Sequence, residues 1–98
     1  MLFVIYGIDA PGKLETRLAV RPQNLEYLAA SEHDMMVAGP LLADDGSMAG
    51  SLLVMDFPDR AAAERWVAES PLTKADVYQS VVIHPFTVKW PRKLAEKG

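Results

Sequence analysis

The apolar positions of this chain change their period several times, and each change marks a new element. Leu2 to Ile8 is an almost unbroken apolar run closed by Asp9-Ala10-Pro11-Gly12. A short run rich in β-branched and aromatic residues, stopped by turn formers, predicts a largely buried strand. From Leu14 the spacing becomes helical, with Leu14, Leu18, Leu25 and Leu28 in one series. Pro22 interrupts that series. Proline belongs in the first turn of a helix, so the pattern predicts a main helix from about 21–23 to Glu32, with 13–20 a separate turn or short lead-in helix.

Met35–Leu42 is the next apolar stretch, and Pro40 near its end predicts an edge strand or a bulge, because proline cannot donate to a central ladder. Ala43-Asp44-Asp45-Gly46-Ser47 has turn chemistry, and the apolar run Ser51–Phe57 completes an antiparallel hairpin. Asp59 is placed to cap a helix over Arg60–Glu69, with Ala63, Trp66 and Val67 at core spacing. Ser70-Pro71 ends that helix. The last run, Val77–Val88, is again strand-like, with Pro85 implying an edge or bulge. The order βαββαβ predicts a ferredoxin-like α+β fold, an antiparallel sheet with both helices on one face. The other face is left for solvent or for a partner.

Composition narrows the picture. Ninety-eight residues make one domain. Half of them are hydrophobic, at the upper end of the usual ~45–50%, which points to a buried subunit interface or an especially rich core. Residues 1–88 hold six bases against twelve acids, and the bases Lys89, Arg92, Lys93 and Lys97 are gathered in the tail. An acidic body repels phosphate, so nucleic acid is not an expected partner. The tail over 91–98 reads as a solubilising or flexible end. With no cysteine there is no disulfide, thiolate nucleophile or thiolate metal site. The apolar N-terminus lacks a basic flank and is too short to span a bilayer, so neither a leader nor a membrane partner is expected. These features fit a cytoplasmic protein.

Four short motifs recur in a fixed order: Arg21-Pro22-Gln23-Asn24-Leu25, Ala38-Gly39-Pro40-Leu41, Gly50-Ser51 before an apolar run, and Ser70-Pro71-Leu72 after a helix. Together they make the chain resemble the YciI-like (YCII-related) family over residues 1–90. The resemblance implies a dimeric α+β barrel, in which two sheets pack face to face as a homodimer. It also implies a pocket beside a histidine and an aspartate, since the family's motifs usually read Arg-Pro-x-His-Leu and Asp-Pro-Phe or Asp-Pro-Tyr. Here Asn24 stands at the histidine position and Ser70 at the aspartate position. A His–Asp pair suits acid–base work because imidazole titrates near neutrality and a carboxylate fixes its tautomer. Asn24 and Ser70 can hold a ligand but cannot move a proton in that way.

The remaining candidates are weighed against plainer roles. Arg17 and Arg21 match arginines of the family's Arg-Leu-x-x-Arg-Pro segment, and a guanidinium fork suits a carboxylate or phenolate-like oxygen. The plainer role is an ion pair with Glu15 or Asp9. Tyr6 could add a hydroxyl to the cleft or simply pack in the core. Asn24 could equally face solvent, and Ser70 could be turn chemistry. His33 is a displaced-base candidate or an exposed residue at a helix end, and His84 reads as a strand or interface residue. Asp44 and Asp45 belong to the turn, Asp56 to a strand end, and Trp66 to the core. No metal or cofactor site is expected.

The leading expectation is a homodimer whose cleft binds a small anionic or aromatic organic molecule through Arg17, Arg21, Asn24, Ser70 and Tyr6. Some relatives look like small lyases or dehydrochlorinases. An enzyme of that type using another base, such as His33, is one alternative, and a purely structural interaction module is the other.

Overall fold

In the computed structural model, which describes residues 1–97, the predicted order is present. Strand β1 (Leu2–Asp9) leads into helix α1 (Leu14–Ala30), then β2 (Met35–Leu42) and β3 (Met48–Asp56), helix α2 (Arg60–Glu69), a short α3 (Pro71–Lys74), β4 (Tyr78–Phe86) and α4 (Arg92–Lys97). The four strands form one sheet in the order β2-β3-β1-β4, and all three neighbouring pairs are antiparallel. This is the ferredoxin-like α+β fold. Pro40 and Pro85 lie on β2 and β4, the two edge strands, where a missing amide costs no ladder bond.

Alternation sorts the sheet into two faces. Phe3 and Ile5 of β1 and Leu53 and Met55 of β3 point to the helix side, where they pack with Phe57, Ala63 and Val67 into the buried core. Asp59 caps α2 as its sequence position predicts, its carboxylate accepting from the Ala62 amide at 2.8 Å. Trp66 ties α2 to α1: its ring lies 4.9 Å from that of Tyr27, and its indole N–H donates to Ser31 Oγ at 2.9 Å. The Tyr27 hydroxyl donates to the Trp66 carbonyl at 2.6 Å. The Asp45 carboxylate accepts from both the amide and the hydroxyl of Ser47, which closes the β2–β3 turn and holds its carboxyl below the usual range.

Two expectations need correction. Helix α1 is continuous from Leu14 to Ala30, with Pro22 inside it. An interior proline costs about 3 kcal/mol. Arg17, five residues earlier, is anchored in the sheet by several hydrogen bonds, while Leu28, six residues later, packs on the core. Both halves are therefore held on one axis by tertiary contacts. Ser70 does end α2 as expected, but a further short helix not foreseen, α3, follows at once, with Pro71 at its first position.

The opposite face of the sheet carries Val4, Tyr6, Leu52, Val54 and Val82, with Phe86 at its margin. Helices α1 and α2 lie on the other side; on this face Tyr6, Val82 and Phe86 are exposed, Val4 and Leu52 half-buried and Val54 buried. The tail expected over 91–98 contains α4, and Gly98 lies outside the described residues. Among the described residues no helix is long and apolar enough to cross a membrane.

Candidate functional site

At the Asp9 end of the sheet, four polar side chains from four elements meet on the helix-covered face. Arg17 reaches down from α1 and is only 5% exposed. Its Nη1 donates to both carboxylate oxygens of Asp9, at 3.0 and 3.3 Å, and its Nη2 donates to the Gly50 carbonyl at 2.8 Å and to Ser51 Oγ at 2.7 Å. The Tyr78 hydroxyl lies 2.8 Å from the same Ser51 oxygen. Burial raises the carboxyl of Asp9, while the Arg17 charge beside it pulls it down. Burial likewise pushes the Tyr78 phenol above 10.0, against the smaller pull of its Ser51 hydrogen bond and the Arg17 charge. Tyr78 is thus a neutral hydroxyl at physiological pH.

Two glycines create the room for this cluster. A Cβ on Gly7 would sit 2.6 Å from Cε1 of Tyr78, so the bare β1 backbone is what lets the tyrosine ring cross the strand toward Ser51. A Cβ on Gly50 would collide with the Gly7 carbonyl. The pairing of Gly7 with Ser51 places the serine directly beside that gap.

The cluster forms the inner end of a cavity of about 200 Å³ between α1, α3 and the β2–β3 side of the sheet. Its walls are mainly apolar, including Ile5, Leu28, Leu53, Val67 and Leu72. Arg17, Arg21, Asn24, Ser51, Ser70, Thr73 and Tyr78 supply its polar groups. Ser70 is buried at the α2–α3 junction. Arg21 is exposed at the mouth, and no hydrogen bond or ion pair ties it to another described residue. The Thr73 hydroxyl is buried without a hydrogen-bond partner among the described residues.

Four of the five residues expected at the cleft, Arg17, Arg21, Asn24 and Ser70, therefore line one cavity. Tyr6 does not. Even-numbered positions of β1 point away from the helices, so its ring is 42% exposed on the uncovered face. Arg17 is placed at the cavity but as the partner of Asp9, so its fork is already occupied. His33 is also elsewhere. The 3-10 turn Glu32–Asp34 carries it beyond the end of α1, where its side chain is 76% exposed, 3.3 Å from Asp34. It lines a separate surface groove with Met1, Met36 and Lys89. His84 is exposed in β4, opposite Val4. No group of three or more potential metal-binding side chains occurs among the described residues.

Sequence reasoning missed Ser51, Thr73 and Tyr78 as cavity groups, although it named Asp9 as a possible partner of Arg17. A usable signal was present for Ser51 and Gly7. A serine and a glycine at helix-facing positions of otherwise apolar strands mark space and a hydrogen bond where a core residue is expected.

The YCII-related domain model matches residues 1–87. The chain is 37% identical over 94 residues to an uncharacterized protein of Haemophilus influenzae, covering 88% of this chain and 96% of the other. It is 36% identical, over the same shares, to the protein YciI of Escherichia coli. Among solved structures it resembles the 5-chloro-2-hydroxyhydroquinone dehydrochlorinase of Burkholderia phenoliruptrix in complex with 2,5-dihydroxybenzoquinone. That match has a TM-score of 0.86 at 31% identity and covers 91% of this chain and 96% of the other. An antibiotic biosynthesis monooxygenase, at TM-score 0.51 and 18% identity over 90% of this chain and 100% of the other, shares the fold alone. The order of motifs, the four-stranded sheet and the match over residues 1–87 lead to one conclusion: the chain belongs to the YCII-related family of YciI-like proteins.

Proposed function

We propose that this protein is a homodimeric YciI-like module whose cavity binds a small aromatic or anionic organic molecule, with the family's usual His/Asp pair replaced by Asn24 and Ser70. The observation that carries this reading is the cavity itself. Its apolar walls and convergent polar groups suit an organic ligand, while its ionisable lining residues are two arginines and a tyrosine. Neither side-chain type titrates near neutrality. The arrangement supports holding a ligand over proton transfer at physiological pH.

The dimer part of the reading rests on the uncovered apolar face. Val4, Tyr6, Leu52 and Val82 form a contiguous patch of the kind that soluble monomers rarely leave bare. A second copy packed on it by sheet-to-sheet contact buries that patch. Residues 1–90 form the working domain in this reading, residues 91–98 an appendage, and the cysteine-free chain operates in the cytoplasm.

A thermal-shift screen of small aromatic acids and phenols, run on wild type and Arg21→Ala, tests the binding function. A ligand at about 100 times its Kd stabilises by roughly 2.7 kcal/mol, and Arg21→Ala weakens anionic hits. Failure of every compound to shift the wild type overturns the reading. The likeness to a dehydrochlorinase favours a second one, a small enzyme that uses another group in place of the pair. Chloride release from 5-chloro-2-hydroxyhydroquinone separates the two. Release by wild type that Asn24→Ala leaves unchanged establishes the enzyme, whereas release only after Asn24→His with Ser70→Asp establishes the binding module.

A further inference from the structure

The inner end of the cavity carries a polarity of its own, and its hydrogen-bonding arithmetic restricts the ligand. Arg17 brings no spare charge, because it is ion-paired to Asp9 with both side chains buried. Its terminal nitrogens are committed to Asp9, the Gly50 carbonyl and Ser51. It therefore offers no fork to a ligand carboxylate. A guanidinium only donates, so Ser51 Oγ must accept from Arg17 and keeps one lone pair and one proton. Tyr78 brings one further proton to the 2.8 Å contact between the two hydroxyls. One proton bridges the pair, and the other remains to be donated. The unpartnered Thr73 hydroxyl lines the same cavity. Among the described residues, the only cationic one lining the cavity outside this network is Arg21, and it is exposed at the mouth.

Resting on the binding reading above, we propose that the Tyr78–Ser51 hydroxyl pair is the specificity-determining donor of the cavity: it selects a ligand whose inward end is an uncharged oxygen, a phenol or a carbonyl, and which carries any negative charge at its outward end, beside Arg21. An inward carboxylate meets one hydroxyl donor from the pair, apolar walls and no free cation, so its desolvation is not compensated. A phenol or carbonyl oxygen loses little solvation and accepts from the Tyr78–Ser51 pair. The ring of such a molecule occupies the apolar section between Leu28, Leu53 and Leu72.

Three probes of similar shape separate the possibilities: 4-hydroxybenzoate, benzoate and terephthalate, titrated calorimetrically into wild type, the double variant Tyr78→Phe with Ser51→Ala, and Arg21→Ala. Wild type is expected to bind 4-hydroxybenzoate roughly tenfold more tightly than benzoate, the order of one hydrogen bond, and terephthalate most weakly. Tyr78→Phe combined with Ser51→Ala removes both protons of the pair, keeps the ring over Gly7, and should bring the first two probes to equal affinity without losing benzoate. Arg21→Ala should weaken both by the same factor. Terephthalate binding as well as 4-hydroxybenzoate in wild type overturns the proposal without any variant, so it stays testable even if the double variant fails to fold. A preference for 4-hydroxybenzoate that survives in the folded double variant removes the role of the hydroxyl pair. If wild type binds benzoate and 4-hydroxybenzoate equally, the cavity binds aromatics but this selectivity is wrong. If it binds none of the probes or the compounds screened above, the underlying binding reading falls with it.

Discussion

The two faces of the sheet invert the usual expectation about inside and outside. The helix-covered face holds an arginine, an aspartate and two hydroxyls in its interior, whereas the uncovered face presents valine, leucine and tyrosine side chains. The difference lies in partnership. Arg17, Asp9, Ser51 and Tyr78 satisfy one another, so their burial is tolerated. The open face has no such internal solution and gains stability only from another apolar surface. One face is a polar network that opens onto a cavity, and the other is an unfinished hydrophobic layer.

Breaking the polar network is expected to have the largest effect. Asp9→Ala leaves the Arg17 charge buried without its counter-ion, a defect worth about 3–5 kcal/mol. That is a large share of the ~5–15 kcal/mol available to a domain, so chemical denaturation should show a much lower midpoint or no cooperative transition. The open face should respond in the opposite way. Tyr6→Glu puts a charge on an already exposed position, so the folded chain survives, but sedimentation should find it monomeric under conditions in which the proposed dimer requires wild type to associate. A wild type that is monomeric at micromolar concentration removes the dimer outright.

Smaller changes probe how closely the covered face is fitted. Gly7→Ala forces Tyr78 to move, an overpacking of about 1–3 kcal/mol, visible as a lower Tm and a changed tyrosine near-ultraviolet signal. Arg21→Ala, at an exposed position, should alter stability by no more than about 0.5 kcal/mol while lowering affinity for anionic probes. The weakest effect is the pH dependence of Tyr78. Its phenol is raised in the folded state, so the folded chain holds the proton more tightly than the unfolded one. Stability through this group is therefore full below pH 10.0 and declines as pH rises through the higher folded value. Tyr78→Phe should show a shallower alkaline decline than wild type, with the contribution of Tyr27, also raised by burial, left in both.

The alternation of Leu2–Ile8, the helical spacing around Ala63 and Trp66, the Asp59 cap and the edge positions of Pro40 and Pro85 were legible along the chain. Each depends on local period, capping or the absence of an amide, and such signals act within a few residues. The same was true of Arg17, Arg21, Asn24 and Ser70 as a group, whose positions follow from motif order. Pro22 was misread for the converse reason. Its local penalty is real, but it is outweighed by contacts that Arg17 and Leu28 make with residues far away in sequence.

By itself, then, the sequence determined the order of elements and the class of fold, and its motif order is what proposes Asn24 and Ser70 for the family's histidine and aspartate positions. The tertiary structure decided which face of β1 meets the helices, and with it the removal of Tyr6 from the cavity and the entry of Tyr78. It also decided that Arg17 belongs to Asp9 before it belongs to any ligand. Those outcomes depend on side chains separated by tens of positions meeting at hydrogen-bond distance around Gly7 and Gly50. No local period encodes such a meeting, because it is fixed only when the strands pair and the helix docks.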